Sequence, residues 1–391
     1  MLTSCSCRQH TSLTFSAVKM THFIEKIELK TATPGVRRFL KVHRFKSKKP
    51  GPKVYLHAGL HADEWPGLLT LQHLITRLIS LDEQELLAGE IVIVPFANPI
   101  GMDQRLNGSV IGRYSFSGEG NFNRNWPDLT PAAQACLLKN PKASVEDVRQ
   151  ALREAVAELP THTPLCHLRA ILLSLSIDAD IILDLHCDSQ ALLHIYGHHL
   201  QSEQSELLAK HLACPIVLLE DEVGASPFDA SHVTPWLALA KYSIPLSCFS
   251  VTIELRGFAD VNDHLAAQDA EGILSFLASN AITTAEITQQ PPVKTRVTRL
   301  EGVDTISAAV CGIICWKIAL GDQVDKGQLI AEIADIEADN PLEGRTPIYS
   351  KTQGVLFTTT LARLVTTGEI IAKIAGPEPL ENTHGGSLLM L

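Results

Sequence analysis

Two short apolar runs constrain this chain more than any other feature: Val54–Ala58 and Asp180–Leu185 are each followed within a few residues by histidine and carboxylate side chains, in HAGLHADE and DLHCDSQ. Short apolar runs of this kind, alternating with longer helical patterns, are expected to be strands of βαβ units. Similar runs cover Glu90–Phe96, Leu192–Tyr196 and Cys248–Leu255. Between the first two lies Gly67–Ser80, with Leu68, Leu71, Leu74, Ile75 and Leu78 at helical spacing and Pro66 placed for a first turn. Further helices are expected over Ser144–Leu159 and Leu168–Leu175, with another ending near Ala278. The alternation predicts an α/β fold, a mixed, mostly parallel central sheet flanked by helices.

At 391 residues the chain exceeds what one core usually organises. The reading divides it into a polar leader (1–20), a catalytic α/β part (21–281), a Thr-, Gln- and Pro-rich linker (282–293), a small all-β part (294–376) and a tail (377–391). Within the β part, GDQVDKGQLIAEI and GVLFTTTLARLVTTGEIIAKI resemble the half-repeats of the biotinyl and lipoyl carrier fold. The expected hairpin tip, IADIEADNPLEGR, lacks the lysine that such carriers modify, so no covalent cofactor is expected there.

A net charge of −10 gives no reason to expect a nucleic-acid partner. No apolar stretch is long enough for a membrane span. The nine scattered cysteines fit reduced thiols and a cytoplasmic location, and the pairs Cys5/Cys7 and Cys311/Cys315 lack a matching second pair for a metal site.

His61 and Glu64 at one strand end and His186 at another make the three-ligand set of a catalytic zinc site. Downstream stand NPIG (Asn98–Gly101), NFNRNW (Asn121–Trp126) and VTIELRG (Val251–Gly257). From about Val54 to Gly257 this ordered set resembles the zinc carboxypeptidase superfamily and, within it, the succinylglutamate desuccinylase and aspartoacylase family, whose members also carry a C-terminal β appendage. Phe122 stands where members usually have leucine, and extra residues separate Arg113 from Asn123.

The resemblance implies one zinc ion per chain on His61, Glu64 and His186, lowering the pKa of water and polarising an amide carbonyl. It implies Glu254 as general base, the alternative being a carboxylate paired with Arg256. Asn123 and Arg124 would grip a substrate carboxylate. Of the two arginines between NPIG and NFNRNW, Arg113 is preferred for the oxyanion, with Arg105 as a further substrate-binding candidate. Asp184 would orient a ligand imidazole or make a structural hydrogen bond, Asp63 is an alternative ligand, and Tyr196 and Tyr242 are possible substrate contacts. His57, His194, His198 and His199 read as ordinary core or surface histidines. The expected activity is deacylation of a small carboxylate-bearing N-acyl amino acid. Alternatives are a carboxypeptidase acting on short peptides and a catalytically silent zinc- or ligand-binding protein. Family members often form homo-oligomers.

Overall fold

The computed structural model describes residues 21–221, 226–242 and 244–380. The expected leader (1–20), with Cys5 and Cys7, and residues 381–391 of the expected tail lie outside the described residues.

Nine strands form one mixed, mostly parallel sheet: β1 (His22–Glu28), β2 (Phe39–Lys46), β3 (Lys53–Ala58), β4 (Glu90–Val94), β5 (Ile181–Asp188), β6 (His194–His198), β7 (Ile216–Glu220), β8 (Phe249–Gly257) and β9 (Arg296–Arg299). Their spatial order is β1-β2-β4-β3-β5-β8-β6-β7-β9. The pairs from β4 through β3 and β5 to β8 are parallel, and β6, antiparallel to β8, lies parallel to β7. In the central strands both faces are covered, so their sequences read as continuous apolar runs. Helices α1 (Pro66–Glu83), α5 (Ser202–Leu212) and α7 (Asp263–Ser279) seal one face over Leu56, Leu183, Ile195 and Ile253. Helices α2 (Thr130–Lys139), α3 (Val145–Ala157), α4 (Pro164–Ser176) and α6 (Phe228–Leu237) belong to the opposite core, with Tyr55, Val92 and Ile182. Helix α3 starts with a capping box in which Ser144 and Asp147 satisfy each other's backbone N–H groups.

Several expectations need correction. Strand β5 runs three residues past Leu185, to Asp188, and carries His186 within the sheet. The antiparallel hairpin β1–β2 was not anticipated, because its short alternating apolar and charged pattern sits at the sheet edge. Arg296–Arg299, assigned to the small β part, pairs in parallel with β7 as the last strand of the large sheet. The expected linker begins inside the fold: Ile282 is buried and its carbonyl accepts from Ala88 N at 2.8 Å.

The C-terminal strands build two antiparallel sheets around Ile306, Ile330, Ile333, Leu356, Ile371 and Ile374. One of them contains Val303–Ser307, Gly354–Thr359 and Ile370–Ala375 and accepts a two-residue strand, Gln190–Ala191, from just beyond β5. A second apolar cluster, Ile216 and Leu218 against Val355, Phe357 and Ala375, glues this sheet to the large one. No helix among the described residues is long and apolar enough to cross a membrane. The cysteines among them are free thiols.

Candidate active site

His61 and Glu64 lie in the turn from β3 into α1, where Gly59 adopts φ +69° to reverse the chain. The NPIG segment holds this turn. Asn98 donates from Nδ2 to Leu60 O and accepts from Gly101 N, both at 2.8 Å. A Cβ on Gly112 would meet Asp63 N at 2.3 Å, so only glycine lets the following segment lie flat on the turn and carry Arg113 to its side.

His186 arrives from β5. Glu64 bridges the two imidazoles, with Oε1 2.8 Å from His61 Nδ1 and Oε2 2.7 Å from His186 Nδ1, and Cys187 N donates to Oε2 at 3.0 Å. One donor atom from each of His61, Glu64 and His186 lies within 4.8 Å of the others, and all three residues are buried. On the far sides, His61 Nε2 is 2.8 Å from Asn121 Oδ1 and His186 Nε2 is 3.0 Å from Asp184 Oδ1. Both acceptors therefore place the ring protons on Nε2 and leave the Nδ1 lone pairs facing Glu64. The Asn123 amide also approaches His186 Nε2, at 3.2 Å, but the ionised and nearer Asp184 prevails. A carboxylate and two correctly protonated imidazoles suit a divalent ion, and Arg113 Nη1 lies 3.2 Å from His61 Nδ1 and 3.3 Å from Glu64 Oε1, on the same donors. Asp63, the alternative ligand, is not in this set.

Asp184 also accepts from His57 Nε2 at 2.7 Å, whose Nδ1 is 3.0 Å from the Tyr55 hydroxyl. His57, read from the sequence as an ordinary histidine, is thus one link in a buried chain ending at His186. Burial opposes the charge on Asp184, yet His186 and His57 hold its carboxyl well below the usual carboxylate range. We expect Asp184→Asn to weaken metal affinity by about 10–100-fold while the fold persists, measured by competition with a chromogenic chelator.

Glu254 stands on β8 in register with His186. Its Oε2 is sealed from solvent and has no hydrogen-bond partner, and the residue lines a cleft of about 350 Å³ beside the ligand set. Burial, then the negative charge of Glu64, pushes its carboxyl up to about 8, while His186 and Lys373 pull the other way. The alternative pairing with Arg256 is absent: a bulge follows Glu254, Arg256 takes φ +65°, and its guanidinium turns to Asp269.

Asn123 is buried, with Oδ1 accepting from Phe228 N at 2.8 Å. Arg124 lines the cleft; its Nη1 donates to Asn123 O at 2.8 Å, and its own carbonyl accepts from Arg169 Nη2 at 2.7 Å. Arg113 lines the cleft as well. Arg105 does not: it belongs to an exposed two-residue strand, its Nη1 3.4 Å from Gly108 O. That candidate is corrected, because the Arg105–Val110 hairpin carries it out into solvent.

Other residues of the site and its cleft carried no sequence signal of their own. Asn121 stood inside NFNRNW without being singled out. Thr358–Thr360 and Lys373 come from the C-terminal sheets, and Lys373 Nζ reaches Asp188 Oδ2 at 2.9 Å across 185 residues of sequence. Glu220 and Asp229 also line the cleft. Tyr196 lines it too, whereas Tyr242 does not.

The profile of the succinylglutamate desuccinylase/aspartoacylase catalytic domain matches residues 50–280. The N-alpha-acetyl-L-2,4-diaminobutyric acid deacetylase of Halomonas elongata is 25% identical over 335 residues, 83% of this chain and 82% of that protein. A structure described as a succinylglutamate desuccinylase/aspartoacylase from Shewanella frigidimarina superposes with a TM-score of 0.83 at 20% identity, covering 93% of this chain and all of that one. The product-bound ectoine utilization protein EutE (DoeB) of Ruegeria pomeroyi gives 0.65 at 16% identity, covering 92% and 97%. The two structures share the fold.

Proposed function

Since the chain belongs to the succinylglutamate desuccinylase/aspartoacylase family, a family of amide-bond hydrolases, we propose that it is a zinc-dependent deacylase of small, carboxylate-bearing N-acyl amino acids. The observation that carries this reading is the partnerless Glu254 carboxylate beside three convergent metal-binding groups, a costly arrangement in a protein that only binds.

His61, Glu64 and His186 would hold the ion, which when bound supplies a Lewis acid that polarises the amide carbonyl and acidifies water. Arg124, with its backbone pinned by Arg169, receives the substrate carboxylate through its planar fork, and Asn123 shapes the adjacent wall. Arg113 donates to the oxygen on which negative charge develops. Glu254 takes a proton from the attacking water and returns it to the leaving nitrogen, a task suited to a carboxyl raised toward neutrality. The C-terminal strand carrying Ile370–Lys373 forms part of the cleft wall, which favours a small substrate over a long peptide. The free thiols are consistent with a cytoplasmic location.

Steady-state assays on the zinc-loaded protein test the reading. N-acetyl amino acids should be turned over with higher kcat/KM than di- or tripeptides of the same C-terminal residue. Efficient turnover of peptides alone would make it a carboxypeptidase.

A further inference from the structure

The seam between the large sheet and the C-terminal sheets is apolar where Ile216 and Leu218 meet Val355, Phe357 and Ala375, with Leu192 and Tyr196 packed against them. At the cleft the chemistry of this seam changes. Lys373, two residues before Ala375 and so on the same face of its strand, lies against the Tyr196 hydroxyl and reaches the Asp188 carboxylate, Nζ to Oδ2 2.9 Å. Both side chains are mostly out of water, Lys373 at 21% exposure and Asp188 at 24%. Burial opposes the charge on each. Asp188, with Tyr196 and Glu254, nevertheless holds the Lys373 ammonium above its ordinary pKa, and Lys373, then His194, holds the Asp188 carboxyl down at about 2. A buried ion pair stabilises a fold little more than apolar side chains of the same volume would, and the neighbouring seam is built of apolar side chains. Stability alone gives no reason for the exception.

Its position does. Successive side chains of a strand alternate between faces, so Asp188 projects beside His186 on β5, and Glu254, in register with His186 on β8, projects to the same face. Beyond Asp188 the chain leaves the large sheet and the C-terminal strands hold it: Leu361 N donates to Ser189 Oγ at 3.0 Å, Thr359 Oγ1 to Gln190 Oε1 at 3.1 Å, and Leu192 N to Phe357 O at 2.9 Å. The contact between charges, Lys373 to Asp188, is the one nearest His186 along the chain. Ser189 N donates to the other carboxylate oxygen, Asp188 Oδ1, at 2.6 Å. Without Lys373, Oδ2 would be a desolvated charge two residues from a metal-binding imidazole, and the strand end would have to shift to hydrate it. The other cations of the cleft are engaged elsewhere, Arg113 on His61 and Glu64, Arg124 on the Asn123 carbonyl.

We propose that Lys373 is a positioning residue for the hydrolytic reaction: through Asp188 it fixes the end of the strand that carries His186, so that the C-terminal strands set the geometry of the catalytic groups as well as the width of the cleft. The inference rests on the deacylase reading for the rate it predicts, and its positional part is measured without substrate.

Lys373→Met and Asp188→Asn each remove one charge and keep the side chain's length. In the zinc-loaded protein, hydrogen exchange of the 186–192 amides, followed by mass spectrometry, should quicken by about tenfold in either variant. On N-acetyl amino acids kcat should fall by about 10–100-fold, with KM within about threefold of the parent. The double variant should be no slower than the single ones, because its second change removes a partner already lost. Exchange and kcat at parental values in Asp188→Asn overturn the proposal even if Lys373→Met fails to fold. Losses that multiply in the double variant also overturn it, since Lys373 would then act apart from Asp188. A raised KM with parental kcat in Lys373→Met overturns it too and makes the lysine a substrate-binding group. If exchange quickens as expected but the parent turns over no N-acyl amino acid, the deacylase reading falls and the positional role stands.

Discussion

Replacing Glu254 with glutamine is expected to lower kcat by about 10²–10⁴-fold, with metal content and melting temperature near those of the parent. The substitution keeps the shape and volume of the side chain and removes only its ability to take a proton. Glu254 has no hydrogen-bonded partner at Oε2 and no ion pair with Arg256, so no fold-supporting bond is lost. Removing a carboxylate that burial and Glu64 disfavour should even leave the folded state slightly more stable. KM should change little, because the residue acts on the water and the leaving nitrogen rather than on the substrate carboxylate. Stopped assays with purified protein, beside elemental analysis of the same sample, give both numbers. Unchanged turnover would end the general-base assignment and return the chain to the class of silent binding proteins.

Replacing His61 and His186 together with alanine should abolish metal binding and bring activity below detection. Glu64 alone would remain of the three buried donors, and one carboxylate does not retain a divalent ion against water. Near-stoichiometric zinc in the parent and none in the variant, by elemental analysis after reconstitution, is the expected result. The variant should also melt lower, because Glu64 loses the imidazoles that hold its carboxyl well below the usual range and stays buried with Cys187 N as a remaining donor. A parent protein that takes up no metal after reconstitution would overturn the hydrolytic mechanism.

The central strands were legible because burial on both faces writes itself as an unbroken apolar run, and α1 because Leu71, Leu74, Ile75 and Leu78 repeat with the helical period along its buried side. Chemistry was legible where it sat at the ends of such strands, where His61, Glu64 and His186 stood beside recognisable runs. What escaped the sequence depends on distant contacts. Arg296–Arg299 is a strand only because β7 offers it an edge, and its own residues carry little β signal. Along the chain only its GRY context favours Arg113 over Arg105, and it is the close passage of Gly112 over Asp63 that brings Arg113 to the cleft while Arg105 stays in solvent. Lys373 sits in an ordinary alternating strand, and nothing local marks it as reaching Asp188. Glu220 and Asp229 carried no signal because an acid at a strand end or in a first helical turn is commonplace on a surface, and only the tertiary fold buries them.

The strand Gln190–Ala191 leaves β5 just after His186 and hydrogen-bonds to Thr358 and Thr359, 169 residues later from Gln190 to Thr359. A ribosome delivers the two partners far apart in time. The metal-binding strand can emerge and pack, but its exit waits for almost the whole remaining chain before it finds its neighbour. Cleft assembly is therefore the last event of synthesis, and a nascent chain halted near residue 300 would hold all three metal-binding residues while lacking one wall of the cleft. The wall that narrows the cleft is thus added only after the residues that hold the metal and the base are already made.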